Sequence, residues 1–172
     1  MKAVLLSIRP KWCKLIWARM KTVEVRKTRP TLETPFKAYI YCTMQREGWF
    51  RHPGSESWCG KVIGEFVCDK ITGLTHVGAN GSVEPYKLNI LATGMYYKPA
   101  DALLQAACLT EAQAEKYLKG GDGYGWHISD LKIYDRPRPL SDFTRLRATK
   151  FGYEPVEIRR PPQSWFYVED GR

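Results

Sequence analysis

A short polar cluster near the N-terminus has the residue types best suited to chemistry. Residues 21–27 read Lys-Thr-Val-Glu-Val-Arg-Lys, so polar side chains alternate with valines. In an extended strand, alternate residues point to one face, which would place Thr22, Glu24 and Arg26 side by side. Lys21 would lie at the edge of that face. An arginine can fork onto a phosphate, and a carboxylate can accept from the exocyclic amine of a base or hold the arginine in place. The cluster therefore predicts recognition of a phosphate or a nucleobase.

Basic residues are concentrated in the same part of the chain. The protein has 172 residues and a net charge of +9, and residues 1–30 contain nine basic residues against Glu24 alone, a net charge of +8. Residues 132–160 carry a second excess, with eight basic residues against four acidic ones. Clustered lysines and arginines gain affinity for polyanions by releasing counterions from phosphates. Two other interpretations stay open: a solvated basic face that aids solubility, and a surface strand whose Glu24–Arg26 pair contributes little.

The composition indicates an ordinary globular domain. With 44% hydrophobic and 26% charged residues, the chain can bury a full core without disulfides or a structural metal. Its apolar runs fall far short of the roughly 20 residues of a membrane span, and we expect no signal peptide. The five cysteines are odd in number and lack CxxC spacing, which favours reduced thiols and a cytoplasmic location. We expect no metal, no cofactor and no membrane contact, and the sequence leaves the oligomeric state open.

The elements that would position the polar cluster follow from hydrophobic periodicity. Residues 3–8 predict a strand, and Pro10 begins a predicted helix over residues 10–20. A helical stretch is predicted over residues 99–119, where Thr110 and Gln113 have the spacing of a capping box. Further strands are predicted at residues 36–42, 61–71, 126–134 and 165–168, with a bulge near residues 129–130, a loop over residues 43–60 and a turn at residues 80–81. This order favours an α+β class, in which a small mixed β-barrel carries one N-terminal helix and a later helical insertion.

The cluster and its flanking elements resemble the opening of an ASCH domain. That family has a G-x-K-x-x-E-x-R motif after its first helix, which Lys21, Glu24 and Arg26 match, while Arg19 replaces the glycine. Similar stretches are residues 6–12, 36–43, 60–68 and 162–167, and the similarity fades between about residues 72 and 122. The resemblance implies a single PUA-like β-barrel domain over residues 1–172, with a helical insertion at about residues 72–122 and a basic cleft next to the first helix.

The same resemblance implies a role in RNA binding or RNA metabolism. The expected ligand is RNA or a modified nucleoside or nucleotide, with single-stranded DNA as a further candidate. The predicted nucleic-acid-binding residues are Lys21, Arg26, Lys27, Arg9, Trp126 and Ser129. Trp126 follows a glycine-rich segment at residues 120–125, which would give a base room to stack on its ring. Core packing is the alternative for this tryptophan and for Trp49, Trp58 and Trp165.

Two enzymatic alternatives also follow from the resemblance. Some family members resemble metal-independent amidohydrolases that deacylate acylated cytidine nucleosides such as N4-acetylcytidine, using a lysine, a threonine and a glutamate. The catalytic candidates here are Lys21, Glu24 and Thr22, although Glu24 occupies the position of their threonine and Thr22 is the nearest hydroxyl. Other members are linked to single-strand ribonuclease activity, for which Lys21, Arg26 and Ser129 would stabilise transition-state charge. A third alternative is a protein-interaction module whose basic face meets an acidic partner.

Overall fold

The chain is built mostly of β-strands in a computed structural model that describes residues 2–44, 58–77, 87–91 and 97–170. The elements in chain order are β1 (Lys2–Ile8), α1 (Pro10–Trp17), β2 (Val23–Arg26), β3 (Phe36–Cys42), β4 (Lys61–Cys68), β5 (Ile71–Val77), β6 (Lys87–Leu91), β7 (Tyr97–Pro99), α2 (Asp101–Ala106), α3 (Glu111–Leu118), β8 (Gly123–His127), β9 (Ser129–Pro139), a 3-10 turn (Leu140–Asp142), β10 (Thr144–Thr149), β11 (Gly152–Glu157) and β12 (Trp165–Glu169). This composition confirms a mixed α+β chain in which strands dominate. No helix in these ranges is both long enough and apolar enough to cross a membrane.

Two five-stranded sheets form the body of the protein. The first has the strand order β12-β1-β3-β4-β9 and the second has the order β2-β8-β5-β6-β7, while β10 and β11 form a separate hairpin. Strands β1 and β3 run parallel, and the other neighbouring pairs run antiparallel. Among the described residues no strand ladder joins the two sheets, so the predicted closed barrel is not observed in this part of the chain.

The two sheets share an apolar core that decides which way β2 faces. Trp126 of β8 is buried in one cluster with Leu6 of β1 and Ile40 of β3, and α1 adds Ile16 to it. Strand β2 pairs with β8 so that Glu24 lies opposite Trp126. Because cross-strand partners point to the same face, Glu24 and Arg26 point toward this shared core. The valines of β2 alternate with them and pack against α2 and α3.

Helix α1 begins at Pro10 as predicted but ends at Trp17, earlier than expected. Arg19 follows in the left-handed conformation at φ +57°, and its Nη2 donates to the carbonyl oxygen of Leu131 at 3.1 Å. The backbone N–H groups of Met20 and Lys21 both donate to the carbonyl oxygen of Leu15, at 3.0 and 3.1 Å. These bonds fold the chain back against the helix, which brings Lys21 beneath it.

Residues 72–122, where the sequence predicts a helical insertion, contain strands as well as helices. They contain most of β5 together with β6, β7 and both short helices, and the strands belong to the sheet that contains β2. The predicted capping box is confirmed, because Thr110 Oγ1 accepts from the Gln113 backbone and Gln113 Oε1 accepts from the Thr110 backbone, at 3.2 and 3.1 Å. The segment is therefore part of the second sheet, with α2 and α3 covering one side of it.

Several other boundaries depart from the sequence interpretation. The predicted strand at residues 61–71 divides into β4 and the start of β5, and the hairpin of β10 and β11 was not predicted. The predicted bulge is confirmed, because Asp130 has φ +45° and the pairing of β4 with β9 shifts register beside it. The turn at residues 80–81 and most of the predicted loop at residues 43–60, including Trp49, lie outside the described residues.

Candidate functional site

Lys21, Glu24 and Arg26 form one buried cluster of charges between α1 and the shared core. Lys21 Nζ lies 3.2 Å from Glu24 Oε2, and Arg26 Nη2 lies 3.0 Å from Glu24 Oε1. The three residues expose only 2%, 7% and 6% of their surface. The structure thus brings together the three motif residues that the sequence singled out. These side chains are enclosed, and two cations share one carboxylate.

Lys21 ties three elements together. Its Nζ donates to the carbonyl oxygen of Ala107, just after α2, at 2.7 Å, and lies 5.0 Å from the ring centre of Trp12 in α1. A carbonyl oxygen, the Glu24 carboxylate and an aromatic face all attract an ammonium group. Lys21 therefore holds α1, β2 and the end of α2 in a fixed arrangement, and its charge is already satisfied by protein groups.

Arg26 connects β2 to the opposite sheet and keeps one donor unpaired. Its Nη2 donates to the carbonyl oxygen of Ser7 at 2.8 Å, and its Nη1 lies 3.4 Å from Ser164 Oγ. Its Nε and the Trp126 Nε1 are both buried, and neither has a hydrogen-bond partner within the part of the chain that the structure describes. A buried donor without an acceptor costs free energy, so these two N–H groups are a local cost to the stability of the core.

Thr22 is not part of this cluster. Strand β2 begins at Val23, so the predicted alternation does not extend back to Thr22, which is exposed. Its backbone N–H donates to the carbonyl oxygen of Ala106, and its own carbonyl oxygen accepts from Ile128, both at 2.9 Å. Its backbone therefore anchors β2 to its surroundings, while its side chain is not enclosed with Lys21 and Glu24.

Trp126 is a core residue, which corrects the prediction of an accessible stacking surface. It is fully buried, with its ring centre 5.6 Å from that of Phe36 and 5.7 Å from that of Trp165. Gly123 and Gly125, the two glycines nearest to it, are in β8, while Gly120 and Gly121 precede that strand. A Cβ atom on Gly125 would lie 2.9 Å from Leu103 Cδ1, so this glycine allows α2 to pack closely on β8.

Ser129 and His127 lie away from the cluster. Ser129 Oγ donates to the carbonyl oxygen of Val67 at 2.9 Å, between β4 and β9. His127 pairs with Val23 in the β2–β8 ladder, so it points away from the face of Trp126, and its Nε2 lies 2.9 Å from Thr72 Oγ1. Burial lowers the pKa of His127 from its usual value, and the positive charge of Lys70 adds to this effect.

Two buried thiols line the neighbouring core. Burial raises the pKa of Cys13 well above its usual value, and its hydrogen bond with Cys42 and the charge of Glu24 act in the same direction. The same hydrogen bond lowers the pKa of Cys42. None of the five cysteines forms a disulfide.

The exposed cations of the site come from the residues that flank the cluster. Arg9 precedes α1, and Lys27 follows β2 with its Nζ 5.5 Å from the ring centre of Tyr117. Arg29, which the sequence did not single out, has its Cζ 5.8 Å from the ring centre of Tyr124, the residue opposite Arg26 in the β2–β8 ladder. An exposed guanidinium and a half-buried aromatic ring thus lie directly beside the buried cluster.

Other tryptophans stand at the edges of the same region. Trp165 is half-buried, and its Nε1 donates to Thr28 Oγ1 at 3.0 Å. Trp58 is half-buried, and its ring centre lies 6.1 Å from that of Trp17 in α1. The contacts of Ser7, Ala107 and Ser164 with the cluster have no local sequence signal, because these residues are far from it along the chain.

Comparison with known proteins identifies the fold. No family model and no curated protein matches the chain. Among solved structures, ASCH from Zymomonas mobilis matches with a TM-score of 0.53 at 19% identity, over 97% of this chain and 87% of that one. Two mutant proteins of the same ASCH match at 18% identity, with TM-scores of 0.53 and 0.52, over 98% and 97% of this chain and 91% and 88% of theirs. The chain therefore has the fold of these ASCH structures, as its motif and flanking strands implied.

Proposed function

We propose that this chain is an RNA-binding domain with a PUA-like architecture, and that it holds a single strand at the surface next to α1. The observation that carries the proposal is the placement of Arg29 over Tyr124, directly beside the buried Lys21–Glu24–Arg26 cluster. A cation on an aromatic ring provides a phosphate contact and a stacking surface at the same place.

In this proposal the phosphate contacts come from exposed residues. Lys21 and Arg26 are buried and already bonded to protein groups, whereas Arg9, Lys27 and Arg29 are exposed at the edge of the cluster. Half-buried Tyr124 offers a ring on which an unpaired base can stack, an interaction typically worth about 1–3 kcal/mol per base. We therefore assign the phosphate contacts to these exposed neighbours and not to Lys21 and Arg26.

The buried cluster supports that surface from beneath. Glu24 holds Lys21 and Arg26 in place, and these two cations in turn bond to the end of α2 and to β1, so the exposed residues stand on a rigid floor. The preferred ligand is RNA or a modified nucleotide, and single-stranded DNA is the weaker candidate.

Fluorescence anisotropy with short labelled strands tests the proposal. We expect single-stranded RNA to bind more tightly than single-stranded DNA or duplex DNA at physiological ionic strength. The double variant Lys27→Gln with Arg29→Gln should weaken RNA binding about tenfold. The salt slope, which is the slope of log affinity against log salt concentration, should become shallower by about 1.4, since each lost phosphate contact to a single strand lowers it by about 0.7.

A matched control removes the same charge elsewhere. Lys132 and Arg136 are exposed on β9, at the edge of the first sheet opposite β12, so Lys132→Gln with Arg136→Gln should leave RNA affinity and salt slope as in the wild type. Equal losses in the two double variants, or heparin binding as tight as RNA binding, would contradict the proposal. Equal heparin binding would instead favour the basic interaction module.

A hydrolase of acylated nucleosides is the second candidate, supported by the 3.2 Å contact between Lys21 and Glu24. Its weak point is Thr22, the candidate hydroxyl, which is exposed while the other two residues are enclosed. Incubation with N4-acetylcytidine followed by chromatography separates the two candidates. Our proposal expects no cytidine, whereas release of cytidine that is lost in Thr22→Val would favour the hydrolase. Cleavage of the single-stranded RNA in a parallel incubation would favour a ribonuclease.

A further inference from the structure

A second basic site lies between the β10–β11 hairpin and the segment that leads into β12. A cavity of about 720 Å³ opens there, which is within the usual size range of ligand pockets. Four arginines and one glutamate, Glu157, are its charged lining residues: Arg145, Arg147, Arg159 and Arg160. We propose that this arginine groove binds the phosphodiester backbone of a single RNA strand. The inference rests on the proposed function and adds a second contact surface for the same RNA strand.

The hairpin presents its arginines on one face. Arg145 pairs with Val156 and Arg147 with Glu154 across β10 and β11, so both arginines point to the side that lines the groove. The Arg145 Cζ lies 5.5 Å from the ring centre of Phe166 in β12, which holds its guanidinium over the groove floor. The groove is therefore a built feature in which two strands and β12 position the cations.

Most arginines of the arginine groove have no ion-pair partner among the described residues, although Glu157 also lines the groove. Arg147 is ion-paired with Glu154 on the neighbouring strand. Arg145, Arg159 and Arg160 form no ion pair with any residue that the structure describes. Guanidinium groups match the geometry of phosphate oxygens, and several of them close together favour a polyanion over a single anion.

A short segment joins the arginine groove to the buried cluster. Pro162 lines the groove, and its carbonyl oxygen accepts from Ser7 Oγ at 2.6 Å. The carbonyl oxygen of Ser7 in turn accepts from Arg26 Nη2 at 2.8 Å, and Ser164 Oγ lies 3.4 Å from Arg26 Nη1. Residues 159–164 thus include two groove arginines at one end and a contact to Arg26 at the other. This proximity favours one continuous RNA strand over two separate ligands.

The test uses the full chain and the double variant Arg159→Gln with Arg160→Gln. Both arginines are exposed. We expect the affinity for a single-stranded RNA to fall about tenfold at physiological salt and the salt slope to become shallower by about 1.4. The matched control, Lys132→Gln with Arg136→Gln, should leave both quantities unchanged. A mononucleotide competitor should displace the RNA strand from the wild type and from the groove variant with the same inhibition constant, once the different RNA affinities of the two proteins are taken into account. The reason is that the mononucleotide does not reach the arginine groove.

The inference is overturned if the groove variant retains the affinity and salt slope of the wild type. It is also overturned if poly-glutamate competes with RNA as strongly as unlabelled RNA does, since the groove would then hold an acidic protein segment. These failures are distinct from failure of the proposed function. A loss in Lys27→Gln with Arg29→Gln but not in the groove variant overturns the groove alone, and a loss in neither overturns both.

Discussion

Arg26 of β2 donates to the backbone carbonyl oxygen of Ser7 in β1, with 2.8 Å between Nη2 and the oxygen. The two strands belong to different sheets, and no ladder joins these sheets among the described residues. Glu24 holds the same Nη2 at 3.0 Å, and Lys21 holds the other oxygen of that carboxylate. The Lys21–Glu24–Arg26 cluster therefore connects the two sheets, and it also lies beneath the proposed binding surface.

Removing the charge of Glu24 should destabilise the protein strongly. Glu24→Gln leaves Lys21 and Arg26 buried without their shared counter-charge, and breaking such a buried pair typically costs about 3–5 kcal/mol. Urea denaturation measures the free energy of unfolding. Glu154→Gln is the control, because it breaks an exposed ion pair with Arg147 and should cost less than about 1 kcal/mol. Similar losses in the two variants would contradict the structural role of the cluster.

The glycine before Trp126 should be needed for packing. Gly125→Ala would place a Cβ atom 2.9 Å from Leu103 and 3.1 Å from Val23, so we expect the free energy of unfolding to fall by about 1–3 kcal/mol. Gly73→Ala in the neighbouring strand is the matched control, because its Cβ atom meets nothing within 4 Å. The same unfolding measurement should show little change there. If Gly125→Ala is also neutral, the segment before Trp126 is looser than the structure shows.

The features that could be predicted from sequence depend on neighbouring residues. Pro10 and the Thr110–Gln113 capping box begin helices by rules that act within one turn, and both were found where the sequence placed them. The alternation of polar residues and valines likewise predicted correctly that Glu24 and Arg26 share one face of β2. The burial of that face could not be predicted, because it depends on Ser7, Ala107 and Ser164, which lie far away along the chain.

Three errors have specific physical causes. Thr22 was placed with Glu24 because the alternation was extended one residue beyond the true start of β2. The β10–β11 hairpin was missed because most of its residues are exposed, so it lacks a buried apolar face, and Pro155 argues against a strand. Trp126 was misplaced for a third reason, since glycines that permit close packing resemble glycines of a loop when only the sequence is read.

Stability should depend on pH through His127. Burial and the charge of Lys70 lower its pKa below the usual 6.5, and Asp69 opposes this shift. The unfolded chain therefore takes up a proton at higher pH than the folded one, so this contribution to stability is present above pH 6.5 and is lost as the pH falls toward the folded-state pKa. Urea denaturation between pH 7 and about 5 should show a shallower decline in His127→Gln than in the wild type. Equal slopes would contradict a lowered pKa.

At Arg19, just after α1, a glycine variant should be more stable than an alanine variant. Arg19 has φ +57°, a conformation that glycine adopts freely and that costs other residues about 1 kcal/mol. Both Arg19→Gly and Arg19→Ala lose the hydrogen bond to Leu131, so their difference isolates the backbone conformation. We expect Arg19→Gly to be more stable than Arg19→Ala by about 1 kcal/mol in thermal unfolding. The reverse order, which is normal inside a helix, would show that this exit is not left-handed in solution.

The most direct test of the account is to map where RNA contacts the protein. Short single-stranded RNA carrying a photoreactive uridine is crosslinked to the full chain at physiological salt, and the modified peptides are identified by mass spectrometry. We predict crosslinks to the peptides that contain Arg29, Tyr124 or Trp165. These crosslinks should be lost when unlabelled RNA competes but not when heparin competes at equal charge. Crosslinks confined to other peptides, or removed equally by heparin, would contradict RNA binding at the surface beside the Lys21–Glu24–Arg26 cluster.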